Sequence, residues 1–238
     1  MTRPFLRFPL AIALGLFLFA IVTPAFATPL GSFNVANCSG GGVTISETSL
    51  TWLPLGTVAG TGCIDTGAGT NIVYSGGTLG GGVAGNLSNL SLSSALPLNN
   101  FMTFSGSTLD FMLTGGGPGA GSILCGGLLV GQSCSIAAGS PFILTSLGSN
   151  TLFSFNVFGT VADATGTSTW SGAFTSQFNM TAAAIQTLLL AGGSITSTYS
   201  GQFTLTPLTS VPEPATLAFL GFGMAGLAGL RRLRNKTW

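Results

Sequence analysis

The chain predicts a mainly β protein, a Gly/Ser/Thr-rich β-sandwich with one short helix, flanked by an N-terminal signal peptide and a C-terminal transmembrane helix. Three observations carry this reading. Leu152 to Val161 alternates Phe153, Phe155, Val157, Gly159 and Val161 with Ser154, Asn156, Phe158 and Thr160, the period of a half-buried strand. The 37 glycines and 18 phenylalanines among 238 residues exceed average glycine use without a collagen repeat, and supply burial that a disordered chain lacks. Finally, the apolar runs free of charge lie at the two ends, where Arg3 and Arg7 or Arg231, Arg232, Arg234 and Lys236 bound them.

Residues 1–27 read as the signal peptide. Arg3 and Arg7 give the positive start, Leu10 to Val22 the apolar centre, and Ala25-Phe26-Ala27 the small-x-small cleavage site. Cleavage there makes Thr28 the mature N-terminus. An uncleaved first membrane helix is disfavoured by Pro24 and by that Ala-x-Ala ending.

Residues 28–206 form the exported β-rich domain. Roughly 180 residues suffice for one core, with room for two packed sheets. Val43 to Leu53, Asn71 to Tyr74 and Thr103 to Leu113 give weaker strand signals between Gly or Pro turns. Ser168-Thr169-Trp170-Ser171-Gly172-Ala173-Phe174-Thr175 is echoed by Ser197-Thr198-Tyr199-Ser200-Gly201-Gln202-Phe203-Thr204. Aromatic, Gly and Phe fall at i, i+2 and i+4 in both copies, so they share one face of two related strands. The glycine leaves room between two rings or marks a bulge. Between the copies lies the one helix, Ala182 to Ala191, capped by Asn179 or Thr181 and ended by Gly192-Gly193. Residues 207–211 are the linker to the tail.

All six cations lie in the two end segments; between Thr28 and Ser210 there is no Lys, Arg or His, and Glu47, Asp65, Asp110 and Asp163 are the only acids. The whole-chain charge of +1 therefore hides an acidic body. Without cations to neutralise phosphates, nucleic acid binding is excluded, and attraction to anionic lipid is disfavoured.

Cys38, Cys63, Cys125 and Cys134 are even in number and all within the body, which in an oxidising compartment predicts two disulfides. Three connectivities are open; proximity favours Cys38–Cys63 with Cys125–Cys134. A zinc site is the rival, but there is no Cys-x-x-Cys and no His.

Catalytic vocabulary is sparse. Gly80 to Gly85 matches Gly-x-Gly-x-x-Gly, yet Asn86 to Leu90 does not open a helix, so a turn is the better reading. Gly115 to Gly121 lacks the lysine of a phosphate loop. Asp65-Thr66-Gly67 resembles an aspartic-protease signature with no second copy, and that chemistry shares a proton between two carboxylates. A nucleophile finds no His or Lys base, and the four acids are not paired for glycoside hydrolysis. Calcium at Asp65, Asp110 and Asp163 lacks Asp-x-Asp clustering. The reading is a non-enzyme with no cofactor and no metal. Asn86, Asn89 and Asn179 open glycosylation sequons. Trp52, Trp170 and Tyr199 are read first as core, with Trp52 the candidate for stacking on a glycan.

The tail, residues 212–238, begins Val211-Pro212-Glu213-Pro214 at its junction. Two prolines fix an extended, helix-free element that an enzyme can grip. Residues 215–230 are uncharged and rich in Gly, Ala, Leu and Phe; as a helix they reach about 24 Å, short for a ~30 Å bilayer core. Residues 231–238, with Arg231, Arg232, Arg234 and Lys236, are the basic cytoplasmic stop. A plain tail anchor is the bland reading.

Pro-Glu-Pro, apolar helix and Arg-rich end, in that order, resemble the PEP-CTERM sorting signal of Gram-negative bacteria. The resemblance implies recognition at Pro212-Glu213-Pro214 by the membrane enzyme exosortase, after export through the Sec translocon and trimming by signal peptidase. It implies transient residence in the inner membrane, then release to the cell surface or extracellular matrix, and association with exopolysaccharide, biofilm or floc. The body also resembles Gly/Ser/Thr-rich β domains of such substrates. A structural or adhesive surface component is the first expectation, a non-catalytic carbohydrate-binding module the second.

Overall fold

The computed structural model describes residues 28–208, which belong to one compact unit. In chain order the strands are β1 Leu30–Asn37, β2 Gly42–Ile45, β3 Ser49–Leu53, β4 Thr61–Thr66, β5 Asn71–Tyr74 and β6 Gly77–Leu79. Next come β7 Ala84–Ser88, β8 Leu90–Ser91, β9 Leu98–Phe104, β10 Asp110–Gly116, β11 Ser133–Ser135 and β12 Phe142–Ser146. The last four are β13 Thr151–Ala162, β14 Thr167–Phe178, β15 Ile195–Ser197 and β16 Ser200–Pro207; helix α1, Ala182–Leu190, lies between β14 and β15.

The mainly β expectation with one short helix holds, but the sandwich is replaced by a closed sheet. Pairing runs β10-β9-β7-β4-β1-β16-β14-β13, and β13 pairs back onto β10. The closure depends on the length of β13. Its Thr151–Phe155 half pairs with β12, while Val157 to Ala162 pairs with β10. A register shift between Leu113 and Gly115 marks the irregularity that bends β10 across the seam. Closing the ring satisfies strand edges that a sandwich leaves open. β2, β3, β8 and β15 form a separate four-stranded sheet.

Two sequence expectations divide at turns. The stretch Val43–Leu53 is a hairpin, β2 and β3, turned at Ser46, whose hydroxyl bonds that of Ser49 at 2.7 Å. The stretch Thr103–Leu113 breaks at Gly106, which has φ +72°, into the end of β9 and the start of β10. Conversely, Thr181 caps α1 as expected, its hydroxyl accepting from the Ala184 N–H, and the helix stops one residue earlier than Ala191.

The first echoed segment lies in β14 and the second runs from the end of β15 at Ser197 through Tyr199 into β16, which pairs antiparallel with β14. Their inward residues join an aromatic interior. Phe33 stacks on Phe203 at 4.8 Å, and Phe111 lies 5.2 Å from Phe33 and 6.2 Å from Trp170. The Trp170 indole N–H donates to the carbonyls of Met112 and Thr160, so its polar edge is satisfied inside the barrel. Burying such rings, at ~25 cal/mol per Å² of apolar area, is the main source of stability.

The registers also fix the poles. β1 starts and β16 ends at one pole, where Gly31 faces Leu205 and Ser168 faces Pro207. Ser168 Oγ donates to the Pro29 carbonyl there. The opposite pole holds Asn37, Ser200 and the β14–α1 connection.

Candidate functional site

At that second pole, the outward side chains of β13 and β14 and the β15–β16 junction line a groove of about 350 Å³. Asn37, Leu152, Thr175, Gln177, Thr198 and Ser200 supply its walls, and none is charged. Thr175 Oγ1 lies 3.1 Å from Ser200 Oγ. The Asn37 side-chain Oδ1 accepts from the Tyr199 N–H at 3.2 Å, and Ser176 Oγ donates to the Thr198 carbonyl at 2.6 Å. The groove thus presents amides and hydroxyls on a pre-set backbone.

Tyr199 forms its inner wall. The phenol is buried and donates to the Cys63 carbonyl at 3.1 Å. Burial, with a smaller contribution from the Asp65 charge, holds its pKa well above the ordinary value. It stays a neutral donor.

Trp52, the sequence candidate for glycan stacking, is corrected by its position. It is 1% exposed, with its ring 4.8 Å from Phe174 and 4.7 Å from Tyr199, and its indole N–H donates to the Ser88 carbonyl at 3.0 Å. Alternation along β3 points it inward with Leu50, so no ring face is left for a sugar. Trp170 and Tyr199 are likewise core. The large aromatic exposed among the described residues is Phe158, at 45%. Sequence reasoning passed it over because it sits out of phase in an otherwise ordinary strand.

The cysteines pair as proximity favoured, Cys38–Cys63 and Cys125–Cys134. Among the described residues, the one His/Cys/Asp/Glu cluster of metal-site size is Cys38, Cys63 and Asp65. Its two sulfurs are bonded to each other, which removes them as thiolate ligands. No second cluster occurs among the described residues, so Asp65, Asp110 and Asp163 are not gathered into a three-carboxylate site. Thr66, its neighbour, spends its hydroxyl on the Gly80 carbonyl at 2.8 Å. Gly80 to Val83 is the turn from β6 into β7 and Gly85 already lies in β7, so the motif is not a strand-to-helix loop.

Asp163 is a structural acid. Oδ1 accepts from the Thr165 and Gly166 N–H groups at 2.8 and 3.1 Å and from the Thr165 hydroxyl, and Oδ2 accepts from the Ser75 N–H at 2.7 Å. Partial burial opposes ionisation, but the bonds from Thr165 and Ser75 outweigh it and bring the pKa down to about 2. Of the sequon asparagines, Asn86 accepts from Thr57 and Asn89 from the Trp52 N–H, while Asn179 is exposed.

Of the signal-cleavage residues, Ala25 and Ala27 lie outside the described residues, and Thr28 is half-buried beside the buried Pro29. Val211, Pro212, Glu213, Pro214, the apolar residues 215–230 and the basic stop lie outside the described residues. No helix among the described residues is long and apolar enough to cross a membrane.

The described body is thus a disulfide-stapled β-barrel with an uncharged polar groove. The chain's tail assigns its handling: residues 210–232 match the PEP-CTERM protein-sorting motif. The chain carries that motif, which marks an exported protein sorted at the membrane in Gram-negative bacteria, with exosortase as the processing partner. No curated protein and no solved structure matches the chain.

Proposed function

We propose that this chain is a structural, adhesive component of the cell surface or extracellular matrix, held in exopolysaccharide, biofilm or floc after exosortase sorting. The observation that supports it is the pairing of a sorting motif at residues 210–232 with a body that has no basic residue and four scattered acids. Solubility and contact then depend on Ser, Thr, Asn and Gln, groups suited to a hydrated polysaccharide layer. The body works without catalysis: it has no His or Lys to activate a hydroxyl as nucleophile. Export through the Sec translocon, removal of residues 1–27 by signal peptidase and brief lodging of residues 215–230 in the inner membrane belong to the same proposal.

Fractionation with terminal mass mapping, with and without exosortase, tests the route. A body starting at Thr28 and ending near Pro212–Pro214 only when exosortase is present is the expected result. Intact Trp238 in the inner membrane of both strains overturns it. Altered floc or biofilm in a deletion strain supports the adhesive role.

A non-catalytic carbohydrate-binding module is the second reading. The uncharged groove of Asn37, Thr175, Gln177 and Ser200 favours it, in place of Trp52.

A further inference from the structure

We propose that the outer face of β13, β14, β16 and β1 binds an extended, uncharged polysaccharide, with Phe158 as its stacking platform. The proposal rests on the reading that the body works in a polysaccharide layer, and it names the surface and ligand class.

The registers of these four strands set their outward residues in rows. Phe158, Ser171, Thr204 and Ser32 form one row. Asn156, Ala173, Gln202 and Asn34 form the next, and Ser154, Thr175, Ser200 and Ala36 the third. Thr160, Thr169 and Thr206 lie on the other side of the Phe158 row. Neighbouring strands are ~4.8 Å apart and successive outward residues ~7 Å apart, so the rows form a regular grid of donors and acceptors. None of the four strands contains Asp, Glu, Lys, Arg or His.

Phe158 is seated for stacking. A Cβ built on Gly115 would come within 2.4 Å of the ring's Cζ, so the ring lies against bare backbone on one side. The rest is open, at 45% exposure. A sugar ring has an apolar C–H face and a polar hydroxyl rim. An aromatic platform beside amides meets both demands.

Asn156 and Gln202 are exposed, and their side-chain amides make no hydrogen bond to the described residues. The small Ala173 between them leaves a dip flanked by two amides. Asn34 completes the row with its Nδ2 already donating to the Ala68 carbonyl at 2.9 Å.

The polar groove continues this face. Leu152, Thr175, Gln177 and Ser200 belong to the same outward set and line the groove with Asn37 and Thr198. From Phe158 through Asn156 and Ser154 to Leu152 the path runs about 20 Å along β13, a length that suits a chain of sugars better than one ring.

Other occupants fit less well. Without charge, the face offers no attraction to nucleic acid or to a charged polysaccharide. Protein partners settle on an apolar, aromatic-rich centre, whereas Phe158 stands among hydroxyls and amides.

The test uses the full chain in a detergent without a sugar headgroup, incubated with microcrystalline cellulose, chitin and, as the anionic comparison, alginate beads. Saturable retention on cellulose or chitin, and background retention on alginate, is expected. Phe158→Leu keeps an apolar cover over Gly115 but removes the ring; it should weaken retention at least tenfold with the Tm held near wild type. Phe158→Tyr should retain binding, and Asn156→Ala with Gln202→Ala should weaken it. The proposal is overturned if the folded chain binds neither neutral solid, prefers alginate, or binds equally well as Phe158→Leu. Concentration-dependent self-association abolished by Phe158→Leu, with no retention on either solid, makes the occupant a second copy and also overturns it. Exosortase-dependent processing without polysaccharide retention removes this face and leaves the sorting reading standing. Retention by a chain that keeps Trp238 in both strains does the reverse.

Discussion

Gly172 stands directly opposite Phe203, and two residues along the same pair of strands Gly201 stands opposite Phe174. A Cβ on Gly172 would meet the Phe203 ring at 2.4 Å and one on Gly201 would meet the same ring at 2.7 Å, so both glycines make room for Phe203. Phe203 sits 5.7 Å from Trp170 and 5.0 Å from Phe174, over the position where Gly172 has no side chain. The strands interlock at this one ring, with Gly172 across from Phe203 and Gly201 two residues before it.

A methyl group at Gly172 should therefore be costly. Its Cβ would lie 1.9 Å from the Gln202 carbonyl oxygen and 2.4 Å from the Phe203 ring. We expect Gly172→Ala to destabilise by about 2 kcal/mol or more, whereas Gly121→Ala, which meets nothing within 4 Å, stays close to neutral. Urea unfolding of both variants decides, and equal midpoints would contradict the interlock.

The core position of Trp52 predicts that truncating it harms folding, not recognition. Trp52→Ala should cost about 3–5 kcal/mol. Trp52→Phe should cost about 1–2 kcal/mol, mainly through the Ser88 carbonyl that loses its donor. Any loss of polysaccharide retention in these variants should track the unfolded fraction. A Trp52→Ala protein as stable as wild type would falsify the buried placement.

The alternation of Phe153, Phe155 and Val157 made β13 legible in sequence, and the Thr181 cap with Gly192-Gly193 made α1 legible. The two related strands were legible because six of the motif's eight residues repeat in order. Ring closure was not, because the edge of β13 is split between β12 and β10, and no local pattern records which half of a strand faces which partner. The same gap misdirected the site reading. Trp52 was singled out by its chemistry, while Phe158 gains its role only from strand register and from the bare backbone of Gly115 beneath its ring.

The two disulfides should differ in value. The bonded residues are separated by 25 positions for Cys38–Cys63 and by 9 for Cys125–Cys134. Loop-closure entropy then gives about 3.5 and about 2.6 kcal/mol respectively. Replacing each pair with alanines and comparing guanidinium unfolding curves tests the ranking. A larger loss from the Cys125/Cys134 pair would show that the shorter loop does more than restrict the unfolded chain.

Acid should expose the contribution of Asp163. Its folded pKa is about 2 against an ordinary 3.8, so the native chain keeps the carboxylate charged where the unfolded chain takes up a proton. The stabilisation is complete above the ordinary value and is lost as pH falls from about 4 through about 2. Thermal melts of Asp163→Asn and wild type should diverge at pH 5 and converge near pH 1.5. A constant Tm difference across that range would remove Asp163 as the source.

The seam between β1 and β16 joins the first strand of the body to the last, with Gly31 facing Leu205. Synthesis therefore leaves β1 waiting, one edge bare, until Ser200–Pro207 has been made. Such distant pairing is slow to form, and a chain cut short before Ser200 has no way to cover the open edges of β1 and β14. The segment that closes the ring is also the one immediately ahead of the motif at residues 210–232. Completion of the fold and arrival of the address thus follow one another closely in synthesis, and products cut before Ser200 lack both.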